Sequence, residues 1–346
     1  MADARLVFLD GCRGVAALIV VLLHASAPFW PKAMIFANLA VDFFFMLSAF
    51  VLMHAYADRI RAGLGLKRFL YIRWLRLFPL HATGLLLGLL LFAGRYGFTP
   101  EAVFSFVLNL VFLPSPHVLA EGWPSAFGLN IPAWSLAFEW LANLLLILVF
   151  VRLSPRTMRY VTAVVGVLYA AQLLGLQQLW AGGSFDNLHL GVLRVLYPFS
   201  LGICLWHAWK AGPVTTEPPH RAGMLVALLI AVLLAPSGSS TWNATFMFCA
   251  ISLAFPLIIR IGANVATRGH AASIMLFLGH ISYGLYVTHA AVLRVFTTIW
   301  RTIQPDPALL PLLMLIETAL TVLLAWLLTR WFDAPARAGL KRWKPA

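Results

Sequence analysis

An arginine and a histidine stand eleven residues apart in apolar sequence near the start of the chain. Every residue between Arg13 and His24 is Gly, Ala, Val, Leu or Ile. Because an ionisable side chain is costly in lipid, a histidine in such a segment is a functional candidate. Eleven residues of α-helix make about three turns and rise about 16 Å, so both side chains share one helix face. We expect Arg13 to anchor one end of a long ligand and His24 to act as a base at the other.

Asp42 is an acidic residue in the next apolar segment, Val41-Asp42-Phe43-Phe44-Phe45. The loop between the two segments is short, so Asp42 could reach the depth of His24. A carboxylate that binds one imidazole nitrogen fixes the tautomer and stabilises the imidazolium formed when the other nitrogen takes a proton. We therefore expect Asp42 to orient His24, with a helix cap or a helix-pairing contact as the alternative.

A polar stripe is predicted on a later apolar helix. Ser135, Glu139 and Asn143 are spaced four residues apart and therefore share a face, which should turn inward rather than toward lipid. With its aromatic neighbours the stripe could bind a sugar and Glu139 could join the catalytic group. Hydrogen bonding between helices is the equally weighted alternative.

A second histidine lies on another polar helix face. Ser282, Tyr286 and His289 are separated by four and then three residues, which places them together on one side of a helix. His289 is therefore a further candidate for the site, although a histidine bonded to a neighbouring helix would show the same pattern.

Two arginines stand three residues apart at the start of the third long apolar segment. Guanidinium groups suit phosphate because they form charge-assisted, bidentate hydrogen bonds. We expect Arg73 and Arg76 to bind ligand phosphate, whereas Lys67 and Arg68 serve topology and attract anionic lipid. The alternative is that Arg73 and Arg76 also serve only to orient the helices in the membrane.

The elements that must position these residues are membrane helices. Of the 346 residues, 62% are hydrophobic and 11% are charged, and the mean hydropathy is +0.88. This composition indicates an all-α, polytopic integral membrane protein with about ten transmembrane helices, forming a single domain over residues 1–346 with no fused soluble domain. The predicted spans are residues 14–30, 39–57, 77–93, 134–151, 160–179, 191–209, 222–236, 241–260, 272–293 and 312–331.

The formal charge of +13 is explained by topology rather than by nucleic acid. With both termini in the cytoplasm, all but five of the 25 Lys and Arg lie on the cytoplasmic side, as the positive-inside rule expects. Residues 102–113 are too short to span and are predicted to be re-entrant or interfacial, before an outer loop over residues 114–132. The five outer cations are Lys32, Arg95, Arg194, Arg294 and Arg301.

The three cysteines, Cys12, Cys204 and Cys249, lack the spacing of a disulfide pair or a metal site, so we expect neither. The N-terminal segment shows no cleavage pattern of a signal peptide, and we expect it to stay as a helix.

Together these motifs resemble the type-3 membrane acyltransferases, ten-helix enzymes that O-acylate bacterial surface polysaccharides and other acceptors. Five motifs occur in the order typical of that family. They are Leu9-Asp10-Gly11-Cys12-Arg13-Gly14 with His24, Asp42-Phe43-Phe44-Phe45-Met46-Leu47-Ser48, Arg73-x-x-Arg76-x-x-Pro79, Trp134-Ser135-Leu136-x-x-Glu139, and Ser282-Tyr283-x-x-Tyr286-x-x-His289.

The resemblance implies an acyl-CoA donor on the cytoplasmic side, most often acetyl-CoA, and a carbohydrate acceptor, free or lipid-linked, in the bacterial inner membrane. Membrane lipids are the other expected partner, and neither a metal nor nucleic acid is expected. The implied residues are His24, Asp42 and Glu139 for catalysis, Arg13, Arg73 and Arg76 for the donor, and Ser135, Tyr283, Tyr286 and His289 for the acceptor.

Two alternatives remain open. The acceptor could be a small molecule, or a periplasmic glucan that is succinylated. A polysaccharide or proton-coupled transporter would also use buried His, Asp and Glu, but paired halves with matching broken helices are not evident in the sequence.

Overall fold

The chain folds into a bundle of helices in a computed structural model that describes residues 6–26, 34–120, 126–176, 179, 181–213 and 216–341. The predicted continuation of the first span beyond Ser26, the outer cation Lys32, part of the predicted loop over residues 114–132 and both chain termini lie outside the described residues. The α-helices are α1 (Val7–Ser26), α2 (Leu39–Arg61), α3 (Leu66–Tyr96), α4 (Pro100–Leu110), α5 (Ala133–Leu148), α6 (Pro155–Ala171), α7 (Leu188–Ala211), α8 (His220–Leu233), α9 (Ser240–Cys249), α10 (Phe255–Gly262), α11 (Gly269–Ile303), α12 (Leu310–Leu328) and α13 (Ala334–Leu340).

Short 3₁₀ and π turns extend several of these helices. A π turn at Ala250–Ala254 joins α9 to α10, and another at Thr329–Asp333 joins α12 to α13. In the described part of the chain, nine helical segments are long and apolar enough to cross a membrane. They confirm the predicted all-α polytopic architecture.

The remaining predicted span, residues 222–236, corresponds to α8, which is 14 residues long and shorter than a typical crossing. Residues 102–113, predicted not to span, form the eleven-residue helix α4. Its first turn is capped by Thr99, whose side chain accepts a hydrogen bond from the backbone N–H of Ala102. Ala102 packs in turn against Leu85 and Phe92 of α3, so α4 is held on the flank of that helix.

Helices α1 and α11 run side by side at unusually close range. A Cβ atom at Gly14 would lie 2.5 Å from the backbone oxygen of Leu278, and one at Gly279 would lie 2.8 Å from Cβ of Asp10. Only glycine permits this approach of one helix to another. The close contact fixes the register of the two helices and thereby brings Arg13 next to Ser282 and His24 next to His289.

Helix α11 lies at the centre of the candidate site, because it packs against α1, α3 and α12. Helix α2 packs against α7. The large core joins these groups through buried phenylalanines, among them Phe43, Phe50 and Phe199. The bundle therefore surrounds the polar faces predicted from the sequence with apolar packing.

Candidate active site

Two histidines lie together inside the bundle. The rings of His24 and His289 have centroids 4.9 Å apart, at an interplanar angle of 31°. Nδ1 of His24 is 2.9 Å from the carbonyl oxygen of Val20, and Nδ1 of His289 is 3.1 Å from that of Leu285. A carbonyl can only accept, so each neutral ring carries its proton on Nδ1 and keeps a lone pair on Nε2. Nε2 of His289 is buried and has no partner in the described part of the chain.

The predicted hydrogen bond between Asp42 and His24 is not formed. The Asp42 carboxylate is fully buried and binds Arg194 through two contacts, Nε to Oδ1 at 3.2 Å and Nη2 to Oδ2 at 3.0 Å. The Nδ1 atom that Asp42 was expected to orient is held by the Val20 carbonyl instead. A buried carboxylate requires a cationic partner, and here that partner is Arg194 rather than His24.

Glu139 faces the interior, and its partner is Arg73. Nη2 of Arg73 donates to Oε1 of Glu139 at 2.7 Å, and the hydroxyl of Ser48 donates to the same oxygen at 3.2 Å. Arg73 is only 3% exposed. Arg73 is therefore buried and paired, whereas Arg76 is exposed, yet both line one cavity. Their joint binding of ligand phosphate stays a prediction.

Arg13 links α1 to α11. Its Nε donates to the hydroxyl of Ser282 at 2.9 Å, and its Nη2 donates to the carbonyl of Gly279 at 3.1 Å. Asp10, one turn earlier, lies 3.3 Å from the same guanidinium. These contacts hold the guanidinium of Arg13 in one orientation on α1, the helix that also carries His24.

Tyrosines and a serine complete the polar lining near the histidines. The hydroxyls of Ser135 and Tyr286 are 2.7 Å apart, and the Tyr286 ring lies 6.1 Å from that of His289. Tyr283 donates its hydroxyl to the carbonyl of Leu77 at 2.7 Å. The structure thus brings the predicted acceptor residues to one region, although Asn143, from the same predicted stripe, is fully buried elsewhere with its amide unpartnered among the described residues.

Two adjoining cavities lie beside this polar region. The wider cavity has a volume of about 1060 Å³ and is rich in cations, including Arg13, Arg68, Arg76, Arg337 and Lys341. The narrower cavity, about 100 Å³, is lined by Ser48, Arg73, Ser135, Glu139 and Tyr286. Arg13, Arg76 and Tyr283 line both, so the two cavities adjoin, and the narrower one reaches Tyr286.

A sequence family described as "Acyltransferase domain" matches residues 6–330. The chain belongs to this acyltransferase family. A related protein from Rhizobium radiobacter, named "Protein 2 in picA locus", is 39% identical to the acyltransferase over 154 residues, which cover 40% of this chain and 79% of that protein. No solved structure matches the chain significantly.

Arg194 was not predicted from the sequence as a site residue. It was counted among the outer cations, yet it lies 2% exposed within a predicted span of the acyltransferase. The rule that drew attention to His24, that an ionisable residue in membrane sequence is costly, applies equally to Arg194 and would have found it. Within the part of the chain that the structure describes, no three side chains are grouped as metal ligands.

Proposed function

We propose that this acyltransferase moves a short acyl group, most simply acetyl, from cytoplasmic acyl-CoA to a hydroxyl of a carbohydrate acceptor presented from the opposite face of the bacterial inner membrane. The observation that carries the proposal is the pair of adjoining cavities. The wider one is rich in cations, and the narrower one reaches Tyr286, whose ring lies 6.1 Å from that of His289.

The wider cavity suits the nucleotide end of the donor. Arg13, Arg76 and Lys341 line it and would attract the phosphates by charge-assisted hydrogen bonds. The uncharged pantetheine arm would then extend into the narrow cavity, where Arg73 is already neutralised by Glu139. A cavity of about 100 Å³ favours a short acyl group over a long one.

His24 is the proposed general base. It is less buried than His289, and its Nε2 lone pair remains free to take a proton when Nδ1 donates to Val20. The acceptor hydroxyl gives its proton to Nε2 as its oxygen attacks the thioester carbon. The carbon–sulfur bond then breaks, and the departing thiolate takes a proton from the imidazolium, so that the ester and free CoA form with no net proton change.

His289 would support this step through its contact with His24. Two imidazoles whose rings lie 4.9 Å apart would repel each other if both were charged. His289 therefore stays neutral while His24 carries the transferred proton. Its unpartnered Nε2 is left to accept a hydrogen bond from the acceptor.

Acetyl transfer can be tested with the purified chain in nanodiscs and radiolabelled acetyl-CoA. We expect the wild-type protein to bind acetyl-CoA and to label surface glycan from the host of the gene, with release of CoA. A wild-type protein that binds acetyl-CoA no better than a control membrane protein would contradict the proposal.

A further inference from the structure

Glu317 is an ionisable group in a membrane helix that the proposed mechanism does not use. It lies on α12 and is 5% exposed. Other acidic groups deep in the helices are neutralised by arginine, Asp42 by Arg194 and Glu139 by Arg73. In the described part of the chain the Glu317 carboxylate has neither an ion pair nor a hydrogen bond. Such a group is costly in an apolar setting, which indicates a binding role.

Glu317 faces a crevice of about 140 Å³ between the outer ends of α11 and α12. The wall is almost wholly apolar, and the side chains near its opening are exposed, Ile299 by 45%, Ile303 by 68% and Leu309 by 46%. In a membrane-spanning bundle such a surface is in contact with lipid chains. The crevice is formed by Leu293, Phe296, Trp300, Leu313 and Met314, with Ala25 of α1 at its side.

The crevice lies close to the histidine pair. Ala25 follows His24 directly in α1. Gly284 of α11 contacts Ala325 of the antiparallel helix α12, and Glu317 is eight residues outward from Ala325 while His289 is five residues outward from Gly284. Along the helix axes, Glu317 is therefore about one helical turn, or roughly 5 Å, farther out than His289. That axial offset is comparable with the size of one sugar ring.

We infer that the crevice is the acceptor site and that the acceptor is a carbohydrate linked to an aliphatic chain. The inference rests on the proposed acetyl transfer. The chain would lie along the apolar wall near Ile299 and Leu309, and one sugar hydroxyl would donate to the Glu317 carboxylate. A neighbouring hydroxyl would then face His24. A chain-free sugar would make no use of the apolar wall, and an ordinary alkyl chain would leave Glu317 unpaired.

Photolabelling of the full chain in nanodiscs tests the inference without relying on turnover. One probe is an isoprenyl glucoside with a diazirine on its chain, and the other carries a methyl ether in place of the sugar. We expect the glucoside to label peptides from residues 293–317 of the wild-type protein more strongly than the ether does. Glu317→Gln should reduce glucoside labelling about tenfold, the usual effect of a hydrogen bond to a charged group, and leave ether labelling unchanged.

Two tryptophan variants of α12 provide the matched comparison. Leu313 lines the crevice, so Leu313→Trp should fill it and remove labelling by the glucoside. Leu315 is 65% exposed and lies outside the crevice, so Leu315→Trp should label as the wild-type protein does. Equal labelling by both probes in the wild-type protein, or unchanged labelling of Leu313→Trp, would show that the crevice holds only bulk lipid and would overturn the inference.

Acetyl-CoA binding, measured on the same nanodiscs, separates the two proposals. Donor binding without specific glucoside labelling contradicts the acceptor crevice alone. Specific labelling without donor binding contradicts the proposed acetyl transfer and leaves the crevice as a glycolipid site.

Discussion

Removing the Asp42 carboxylate should destabilise the bundle rather than change the base. Arg194 would keep its hydrogen bonds to the carbonyls of Ala181 and Asn38 but lose both contacts to the carboxylate, at 3.2 and 3.0 Å. Both partners are at most 2% exposed. Breaking a buried pair of this kind by removing one partner costs about 3–5 kcal/mol. Asp42→Ala should therefore lower the free energy of unfolding by that amount.

The assay is unfolding of the purified protein by SDS, followed by circular dichroism. Asp58→Ala is the control, because Asp58 is 73% exposed beside Lys210 and its loss should cost about 0–1 kcal/mol. The double variant Asp42→Leu/Arg194→Met should recover part of the loss, since an apolar pair can replace a buried ion pair. Wild-type stability of Asp42→Ala together with an altered pH–rate profile would refute the reasoning and restore the predicted role on His24.

Three further outcomes are expected. Arg76→Ala should weaken acetyl-CoA binding about tenfold in calorimetry and leave a nucleotide-free pantetheine thioester unaffected; equal losses would show that Arg76 does not contact the phosphates. Gly14→Val should cost about 1–3 kcal/mol in SDS unfolding because its side chain meets the α11 backbone, whereas Gly223→Val, with open space around it, should not lose stability through a clash. With the native cysteines replaced by alanine, an impermeant maleimide should label Phe98→Cys but not Lys67→Cys in intact cells, and the reverse pattern would contradict the orientation.

The helices and their polar faces could be predicted from sequence because both depend on local periodicity. Arg13 and His24 share one face of α1, and Ser282, Tyr286 and His289 share one face of α11. The contact between the two faces could not be predicted, because it depends on how closely α1 approaches α11 at Gly14 and Gly279.

The ion-pair partners of the buried charged residues could not be predicted from the sequence for a similar reason. Arg73 and Arg76 cannot be distinguished by their local spacing. Only the ion pair with Glu139 on α5 distinguishes Arg73 as the buried member. Asp42 was paired with His24 because the loop between their two segments is short, whereas in the bundle α2 packs on α7 and presents Asp42 to Arg194. Ion pairs between distant helices are set by packing, which local spacing does not encode.

His24 is proposed to transfer the proton and not to anchor the donor. The most direct measurement is acetyl transfer and acetyl-CoA affinity of His24→Ala in nanodiscs, with His289→Ala examined in parallel. General-base catalysis contributes about 10²–10⁴-fold, so His24→Ala should lose transfer by that factor while its acetyl-CoA affinity stays near the wild-type value. Near wild-type transfer by His24→Ala, with loss in His289→Ala, would contradict the account and assign the base to His289.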